Sequence, residues 1–225
     1  MRRLKKIIAM ASMAVLTTGL VLTGCGQKVD PPEVTAEAFY DLYVLGDTTK
    51  IENMGVEKSE YENVRETEKT SMKNATRNNI IKGGFTISDE QLNKIADAEL
   101  GALKKLAPKI ETSSTTDDKA TVKIATTYAD ITPVDTKAFN DAMTEIKAMQ
   151  LTNESEARKK LLDLYVNKLV DGLNAIQPSS DTKEKSFAFK KQKFNVGGKA
   201  KDVWVPEDMT VFGTDLGKMI TGQNA

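Results

Sequence analysis

The chain has 225 residues, with 32 basic side chains, 32 acidic side chains, no His and a single Cys. This composition excludes a Ser-His-Asp triad, a His general base and a zinc site built from His and Cys ligands, and a single Cys also excludes a disulfide within the chain. The apolar fraction of 40% and the charged fraction of 28% are ordinary for a globular protein.

The first 24 residues have the layout of a bacterial secretory signal peptide. Four basic residues lie within the first six positions, and an apolar segment follows over residues 7–22. This segment is short for a membrane-spanning helix, which needs about 20 predominantly apolar residues. It ends in small residues, as a secretory signal does before its cleavage site. We therefore expect residues 1–24 to be removed and the rest of the chain to lie outside the cytoplasm.

The only Cys lies directly after this segment, in the sequence Leu22-Thr23-Gly24-Cys25. These four residues resemble a bacterial lipobox, in which one small aliphatic residue and two small residues precede the Cys that becomes the mature N-terminus. The resemblance implies cleavage between Gly24 and Cys25 and a diacylglycerol on the Cys25 thiol. Two acyl chains anchor a protein stably, because each buried CH₂ contributes about 0.8 kcal/mol. We therefore expect a lipid anchor on the extracytoplasmic face of the cell membrane.

The charge of the mature chain bears on its partners. Removing residues 1–24 removes four basic side chains and no acidic ones, which leaves 28 basic against 32 acidic residues, a formal charge of −4. A mildly acidic chain lacks the basic surface on which nucleic-acid binding depends, so no nucleic-acid partner is expected.

Residues 25–34 include Pro31 and Pro32, which favour an extended and semi-rigid spacer. They are therefore predicted to be the lipidated N-terminus and its tether. Thr35 is a good N-cap for a first helix over residues 36–45.

Two capping boxes indicate the next two helices. Ser59 with Glu62 is predicted to open a polar helix of about 20 residues, and Ser88 with Gln91 to open a helix over residues 89–106. The second of these helices carries an apolar stripe at helical spacing, so it is expected to pack by that face against a core.

After this helix, apolar residues recur at every second position, which is the spacing of a β-strand. Residues 109–114 and 119–131 are rich in Thr, Val and Ile, and apolar side chains alternate along the second of these segments. The polar run over residues 113–118 is typical of a turn. The pattern predicts a first β-hairpin.

Two further helices are predicted after this hairpin. Pro133 and Asp135 indicate the start of a helix over residues 136–149, and Asn153 is a suitable N-cap for a longer helix over residues 154–176. The longer helix carries a continuous apolar stripe.

A second hairpin is predicted near the C-terminus. Phe187 and Phe189 alternate with polar residues, and the parity then shifts to Phe194 and Val196. A one-residue shift places side chains on the opposite face of a strand, so a bulge or bend is expected near residues 190–193.

The dipeptide Gly197-Gly198 is a typical hairpin turn, after which residues 199–206 are predicted to pair back. A last short helix is expected over residues 207–219. Helices grouped with antiparallel hairpins indicate an α+β fold.

One α+β ectodomain is therefore predicted over residues 35–222. The order of helices, hairpin, helices and hairpin also suggests two sub-units, 35–132 and 133–222, related by a weak internal duplication. A single curved sheet of four strands, covered by helices, fits the pattern about as well.

Seven lysines lie on or beside the second hairpin: Lys183, Lys185, Lys190, Lys191, Lys193, Lys199 and Lys201. Such a face can bind an anionic wall polymer, a lipid head group or an acidic protein, but lysines also protect an exposed strand edge from aggregation. Trp204 lies between Val203 and Val205, so it faces a partner or the last helix if those valines face the core. The candidate binding surface consists of Lys190, Lys191, Lys193 and Trp204.

The acidic residues show no spacing that predicts two carboxylates facing each other across a cleft, as glycoside hydrolysis requires. The sequence contains no calcium loop, phosphate loop or serine-nucleophile motif. We therefore expect no catalytic residue, no metal site and no cofactor. Seven aromatic residues are able to line a small-ligand pocket or to form ordinary core: Phe39, Tyr43, Phe139, Tyr165, Phe187, Phe189 and Trp204.

Three features together resemble a family of uncharacterised surface lipoproteins of low-GC Gram-positive bacteria. They are the lipobox, the segment Ala38–Tyr43 in the first helix and the segment Ala120–Ile131 in the first hairpin. The resemblance implies a cystatin-like or NTF2-like α+β ectodomain at the cell surface, and it supplies no catalytic residues.

The chain is thus expected to be a lipid-anchored, non-enzymatic binding or interaction module. One alternative is a small-ligand receptor with an aromatic-lined pocket, and a less favoured one is a cell-envelope hydrolase that uses carboxylates. A peptide cut from the signal segment near residues 17–24 is also a conceivable signal between cells, although a signal segment with no later use is the simpler interpretation.

Overall fold

The computed structural model describes residues 29–196 and 199–225. Its helices are α1 (Pro32–Tyr40), α2 (Thr49–Asn53), α3 (Lys58–Lys82), α4 (Asp89–Leu103), α5 (Ile131–Ala148), α6 (Glu154–Ala175) and α7 (Met209–Ile220). Its strands are β1 (Pro108–Thr115), β2 (Lys119–Thr126), β3 (Lys183–Val196) and β4 (Lys199–Pro206). Each helix in the described ranges is too short or too polar to cross a membrane. The lipobox and the predicted turn at Gly197-Gly198 lie outside the described residues.

All four strands belong to one antiparallel sheet, in the order β1-β2-β3-β4. The two hairpins are joined through β2 and β3, whose register runs from Lys119 opposite Lys190 to Thr126 opposite Lys183. The α+β fold class is therefore confirmed, and both hairpins contribute to a single sheet.

The predicted bulge in the second hairpin is wrong. β3 pairs with β4 in an unbroken register from Phe189 to Val196. The ladder between β2 and β3 stops at Lys190, so β3 continues beyond that residue with β4 as its neighbour in the sheet. Because the sheet narrows there, the apolar pattern no longer has to keep one face toward a core. The irregular register lies instead in β1, between Thr112 and Ser114.

The first core, which we name the sheet core, lies between one face of the sheet and the helices α1 and α7. Phe212 of α7 is 1% exposed and contacts three rings. These are Phe39 of α1 and Phe187 and Phe189 of β3, with centroids 4.9–6.4 Å from that of Phe212. The edge-to-face arrangement of these rings is a favourable one for aromatic pairs.

Three buried polar side chains beside the sheet core have partners on other elements of the chain: Tyr40, Asp41 and Asp215. The Tyr40 hydroxyl and the Thr126 hydroxyl form a hydrogen bond of 2.5 Å. Two buried carboxylates each contact a lysine Nζ: Asp41 with Lys50 at 2.6 Å, and Asp215 with Lys185 at 2.7 Å.

The second core, which we name the helical core, is formed by α4, α5 and α6 with the end of α3. Leu92 and Ile95 of α4 and Leu169 and Leu173 of α6 are completely buried in it. The capping box predicted for α4 is confirmed, and α6 begins as predicted behind its N-cap Asn153.

The first helix begins earlier than predicted. α1 starts at Pro32, directly after Pro31, so the last three residues assigned to the tether are helical. Thr35, the predicted N-cap, is inside the helix and buried. Proline fits the first helical turn because its missing N–H would have no partner there.

Two further helix starts also differ from the prediction. α3 begins at Lys58 behind Glu57, without the predicted capping box. α5 begins one turn early, behind Asp130, whose side chain accepts a hydrogen bond from the N–H of Thr132. Pro133 then lies in the first turn of α5, where it removes no helical hydrogen bond.

A π-helical turn, Asp41–Leu45, continues α1 and ends at Gly46. Gly46 has φ of 69°, in the left-handed region that favours glycine. The Arg65 guanidinium lies against Gly46 in the space that a Cβ there would need. The same group donates a hydrogen bond of 3.2 Å to the carbonyl of Leu42. Arg65 therefore caps this helix end, where a positive charge is favourable.

Candidate functional site

The predicted binding surface on the second hairpin is wrong at Trp204. The register pairs Trp204 with Lys191, which places it on the same face of the sheet as Phe187 and Phe189. Trp204 is 3% exposed and belongs to the sheet core. The Lys191 Nζ lies 5.0 Å from the centre of its ring, a cation–π contact within the protein. Trp204 therefore offers no surface to a partner.

The structure describes the side chains of five of the seven hairpin lysines, those other than Lys199 and Lys201, and these five divide into two groups. Lys185 contacts Asp215, and Lys183 donates a hydrogen bond of 3.0 Å to the Asn224 side chain. With Lys191, three of the five thus have partners on α7, the C-terminal tail or β4. Among the described residues, no carboxylate pairs with Lys190 or Lys193.

The aromatic residues proposed to line a pocket are core residues. Phe39, Tyr43, Tyr165, Phe187 and Phe189 are each at most 5% exposed, and Phe139 packs partly buried against Tyr165, with a centroid separation of 6.3 Å. These rings are therefore committed to the two cores.

An open groove of about 850 Å³ lies between the loop that follows α3, the first turns of α4 and the first half of α6. We name it the α4–α6 groove. Ile87, Leu162 and Val166 provide buried apolar side chains at its floor, and the half-buried Phe85 adds an aromatic ring. Thr86, Ser88, Ser155 and Asn167 provide polar groups around this floor: they are part of the same lining.

Hydrogen bonds at the start of α4 fix the shape of this groove. Ser88 and Gln91 form the capping box, with bonds of 3.2 and 3.0 Å that hold the loop at the helix start. The Gln91 Nε2 also donates a bond of 2.8 Å to Asp163 of α6. The groove walls are therefore joined directly to each other, on helices that pack into the helical core.

The charges in the groove are unbalanced. Its lining contains four cations, Lys94, Arg158, Lys159 and Lys160, and two carboxylates, Glu90 and Asp163. Lys94 contacts Glu90 at 2.8 Å, and Arg158 contacts Glu154 at 2.9 Å. In the part of the chain that the structure describes, Lys159 and Lys160 form no ion pair, and both are exposed. The groove thus presents free positive charge on a chain whose formal net charge is zero.

A second groove, between α3 and α4, is of similar size, about 800 Å³, but differs in chemistry. Its lining is mostly charged residues of both signs, and Lys69 contacts Asp97 across it at 2.6 Å. Leu100 is its one large apolar residue. It therefore lacks the apolar floor of the α4–α6 groove.

Sequence reasoning missed the α4–α6 groove. The run Arg158-Lys159-Lys160 was a visible signal, but on a helix with a continuous apolar stripe a charged run ordinarily belongs to the solvated face. Only the packing of α4 against α6 brings these lysines beside Phe85 and Ile87, more than 70 residues earlier in the chain.

Two buried carboxylates lie in the helical core. Glu99 of α4 is 3% exposed and Asp135 of α5 is 5% exposed. Burial, together with the negative charge of Asp135, raises the pKa of Glu99 to about 8. The Tyr165 hydroxyl donates a hydrogen bond of 2.6 Å to Asp135, whose pKa is raised by burial. None of these three residues lines either groove, so no substrate in a groove would touch them.

Another buried carboxylate, Glu68 of α3, lies beside Arg65 and Tyr43. Its Oε2 accepts a bond of 3.2 Å from Arg65, and its Oε1 has no hydrogen-bond partner among the described residues. Burial raises the pKa of Glu68 to about 7, although the nearby Arg65 lowers it. In the described residues, no group of carboxylates is arranged to hold a metal ion.

Comparisons with known proteins give a fold relationship. No protein-family model matches the sequence, and no curated protein matches it. The fold is similar to the crystal structure of YcdA, a candidate lipoprotein of Bacillus subtilis subsp. subtilis str. 168, with a TM-score of 0.54 and 15% sequence identity. The match covers 84% of this chain and 56% of YcdA, so this chain spans little more than half the length of that protein. At this identity the likeness shows a shared fold.

Proposed function

We propose that this protein is a lipid-anchored lipoprotein of the extracytoplasmic membrane face, whose folded domain is a non-enzymatic binding module. One observation carries the proposal: the only Cys of the chain follows small residues at the end of a signal-like segment. The fold similarity to a candidate lipoprotein supports it.

The beginning of α1 adds a spatial limit to this proposal. Six residues separate Cys25 from Pro32, the first helical residue. Six extended residues span at most about 20 Å. A lipid on Cys25 would therefore keep α1, and the sheet core into which it packs, close to the membrane surface.

The accessible chemistry favours binding over catalysis. The carboxylates with raised pKa that an acid–base enzyme would need are all buried: Asp41, Glu68, Glu99 and Asp135. The α4–α6 groove is open, carries free lysines and has an apolar floor, which are features of a site that binds an extended partner.

We also assign the ectodomain to a cystatin-like or NTF2-like architecture. The arrangement that supports this assignment is an antiparallel sheet of four strands with α1 and α7 on one face. Residues such as Glu184, Ser186 and Ala188 are exposed on the other face.

The substitution Cys25→Ala tests the lipid anchor. Without the thiol, no thioether to a diacylglycerol can form, so the variant should leave the membrane fraction or accumulate as the unprocessed precursor. Fractionation, followed by intact mass measurement of the isolated protein, distinguishes the two. Thr23→Ala is the matched control, because it keeps a small residue in the lipobox and should stay in the membrane. A Cys25→Ala protein that fractionates and migrates like the parent would overturn the proposal.

A further inference from the structure

We infer that the α4–α6 groove binds an extended acidic segment of a partner polypeptide that carries at least one large apolar side chain. The inference rests on the proposed binding function and adds the site and the chemistry of the partner. Three independent features of the groove carry it: its free positive charge, its apolar floor and a stretch of loop backbone whose polar groups are unpaired within the described residues.

The free positive charges of the groove predict a partner with negative charge. Lys159 and Lys160 lie side by side on the exposed face of α6 and form no ion pair within the described residues. A carboxylate of a partner can therefore pair with these two lysines without breaking an existing ion pair. Such rim charges mainly accelerate association and select the partner's sign.

The floor of the groove argues for a polypeptide rather than for a purely polar polyanion. Ile87, Leu162 and Val166 are each at most 8% exposed, and Phe85 lies beside them half-buried. A polyphosphate chain or a lipid head group has nothing apolar to place there. A leucine or aromatic side chain of a peptide would cover the ring of Phe85 and gain the burial that dominates binding energy at interfaces.

The backbone beside this floor is able to pair with another extended chain. Residues 85–88 have no regular secondary structure, between α3 and the N-cap of α4. Among the described residues, the backbone N–H and C=O groups of Thr86 and Ile87 form no hydrogen bond. Exposed main-chain groups of this kind bind an added peptide strand through its backbone, while neighbouring pockets select its side chains.

The test measures peptide binding to the purified full chain in a mild neutral detergent, by fluorescence anisotropy. The probe is a labelled peptide of about 12 residues, built from Glu and Ser with two central Leu residues. A second peptide lacks the Leu residues, and a third carries Lys in place of Glu. We expect the Glu–Leu peptide to bind tightest and the Lys–Leu peptide not to bind. Added salt should weaken binding, because the rim charges are exposed.

Two variants separate charge from fold. The double variant Lys159→Glu with Lys160→Glu should weaken binding of the Glu–Leu peptide by about tenfold or more, because it reverses the two free charges. The double variant Lys104→Glu with Lys147→Glu is the matched control, since it makes the same charge change at exposed sites outside the α4–α6 groove; it should change the affinity by less than about twofold. Phe85→Ala should remove the preference for the Leu-containing peptide.

Several outcomes would overturn the inference. One is the absence of binding by the Glu–Leu peptide to a parent chain whose circular dichroism and melting curve are those of a folded protein. Another is equal loss of affinity in the two double variants. Lysine-dependent binding of inorganic polyphosphate, or of phosphatidylglycerol vesicles, without any preference for Leu would assign the groove to a polyanion or a lipid surface. Because these measurements use the purified chain whether or not Cys25 is lipidated, they are independent of the anchor test.

Discussion

In the sheet core, the buried carboxylates of Asp41 and Asp215 each contact a lysine, whereas in the helical core Asp135 raises the pKa of its neighbour Glu99. Among the described residues, no cation pairs with either acid of the helical core. Burial alone would raise the pKa of Asp215, but hydrogen bonds and charges from Lys185 and Lys218 bring it below its ordinary value. Burial without such a partner leaves Glu99 protonated at neutral pH.

Asp215 and Glu99 therefore respond to pH in opposite directions, whereas burial raises the pKa of Asp41 in spite of its contact with Lys50. Asp215 contributes stability while it is ionised, and that contribution is lost as the pH falls through its lowered pKa. Glu99 contributes stability while it is protonated. The folded chain then holds a proton that the unfolded chain has released, so stability falls as the pH rises from the ordinary pKa of Glu toward about 8. The following substitutions test this contrast.

The largest effect is expected from breaking the sheet core itself. Phe212→Ala removes a ring that is 1% exposed and contacts three other rings. The lost burial and the cavity should lower the free energy of unfolding by about 3–5 kcal/mol in urea titrations. Val211→Ala, at a neighbouring site that is 50% exposed, is the control and should cost less than about 1 kcal/mol. A loss at Phe212 no larger than this control would show that the ring does not hold the sheet core together.

The contrast in pH response is tested by Glu99→Gln. In the parent, Glu99 makes the free energy of unfolding decrease between about pH 5 and 8. The amide of the variant cannot ionise, so this contribution to the decrease should be absent. At pH 8 it should be more stable than the parent by up to roughly 4 kcal/mol, and near pH 4 the two should be similar. Urea titrations across this range measure the difference. Glu184→Gln, the same change at an exposed strand site, should leave the pH profile unaltered; equal profiles for the parent and Glu99→Gln would contradict the assignment.

The smallest effect is expected from a pair of hydroxyl deletions. Tyr40→Phe removes one bond from the Thr126 hydroxyl, which still donates to the carbonyl of Thr127 at 2.8 Å, so the loss should be about 1 kcal/mol. Tyr165→Phe removes a donor to a buried carboxyl group, so it should cost roughly 1.5–3 kcal/mol and more at high pH, when Asp135 is ionised. Thermal and urea unfolding at two pH values measure both. Equal losses at both pH values would contradict the contrast between the cores.

Local signals predicted most of the secondary structure. The Ser88–Gln91 box and Asn153 act within one helical turn, so their interpretation needs no knowledge of the tertiary fold. The alternation along β2 was equally readable, because one face of that strand is buried throughout. The start of α1 was misplaced because Thr35 fits the N-cap rule, while Pro32 fits the first helical turn just as well.

The orientation of Trp204, the partner of Lys185 and the α4–α6 groove depend on tertiary packing, so the sequence did not predict them. The orientation of Trp204 depends on its pairing with Lys191 across the hairpin, which no local pattern specifies. The sequence around Lys185 is typical of a solvated residue, but the packing of α7 places Asp215 in contact with it. The α4–α6 groove likewise exists only because the loop at Phe85 meets α6.

The contact between Arg65 and Gly46 has a consequence for how this protein can change over generations. A side chain at position 46 would need both a left-handed backbone and the space that the Arg65 guanidinium fills. Shortening Arg65 first would open that space but leave the Leu42 carbonyl without its cap. The two positions are therefore expected to co-vary: a homologue that replaces one of these residues would be under selection to replace the other.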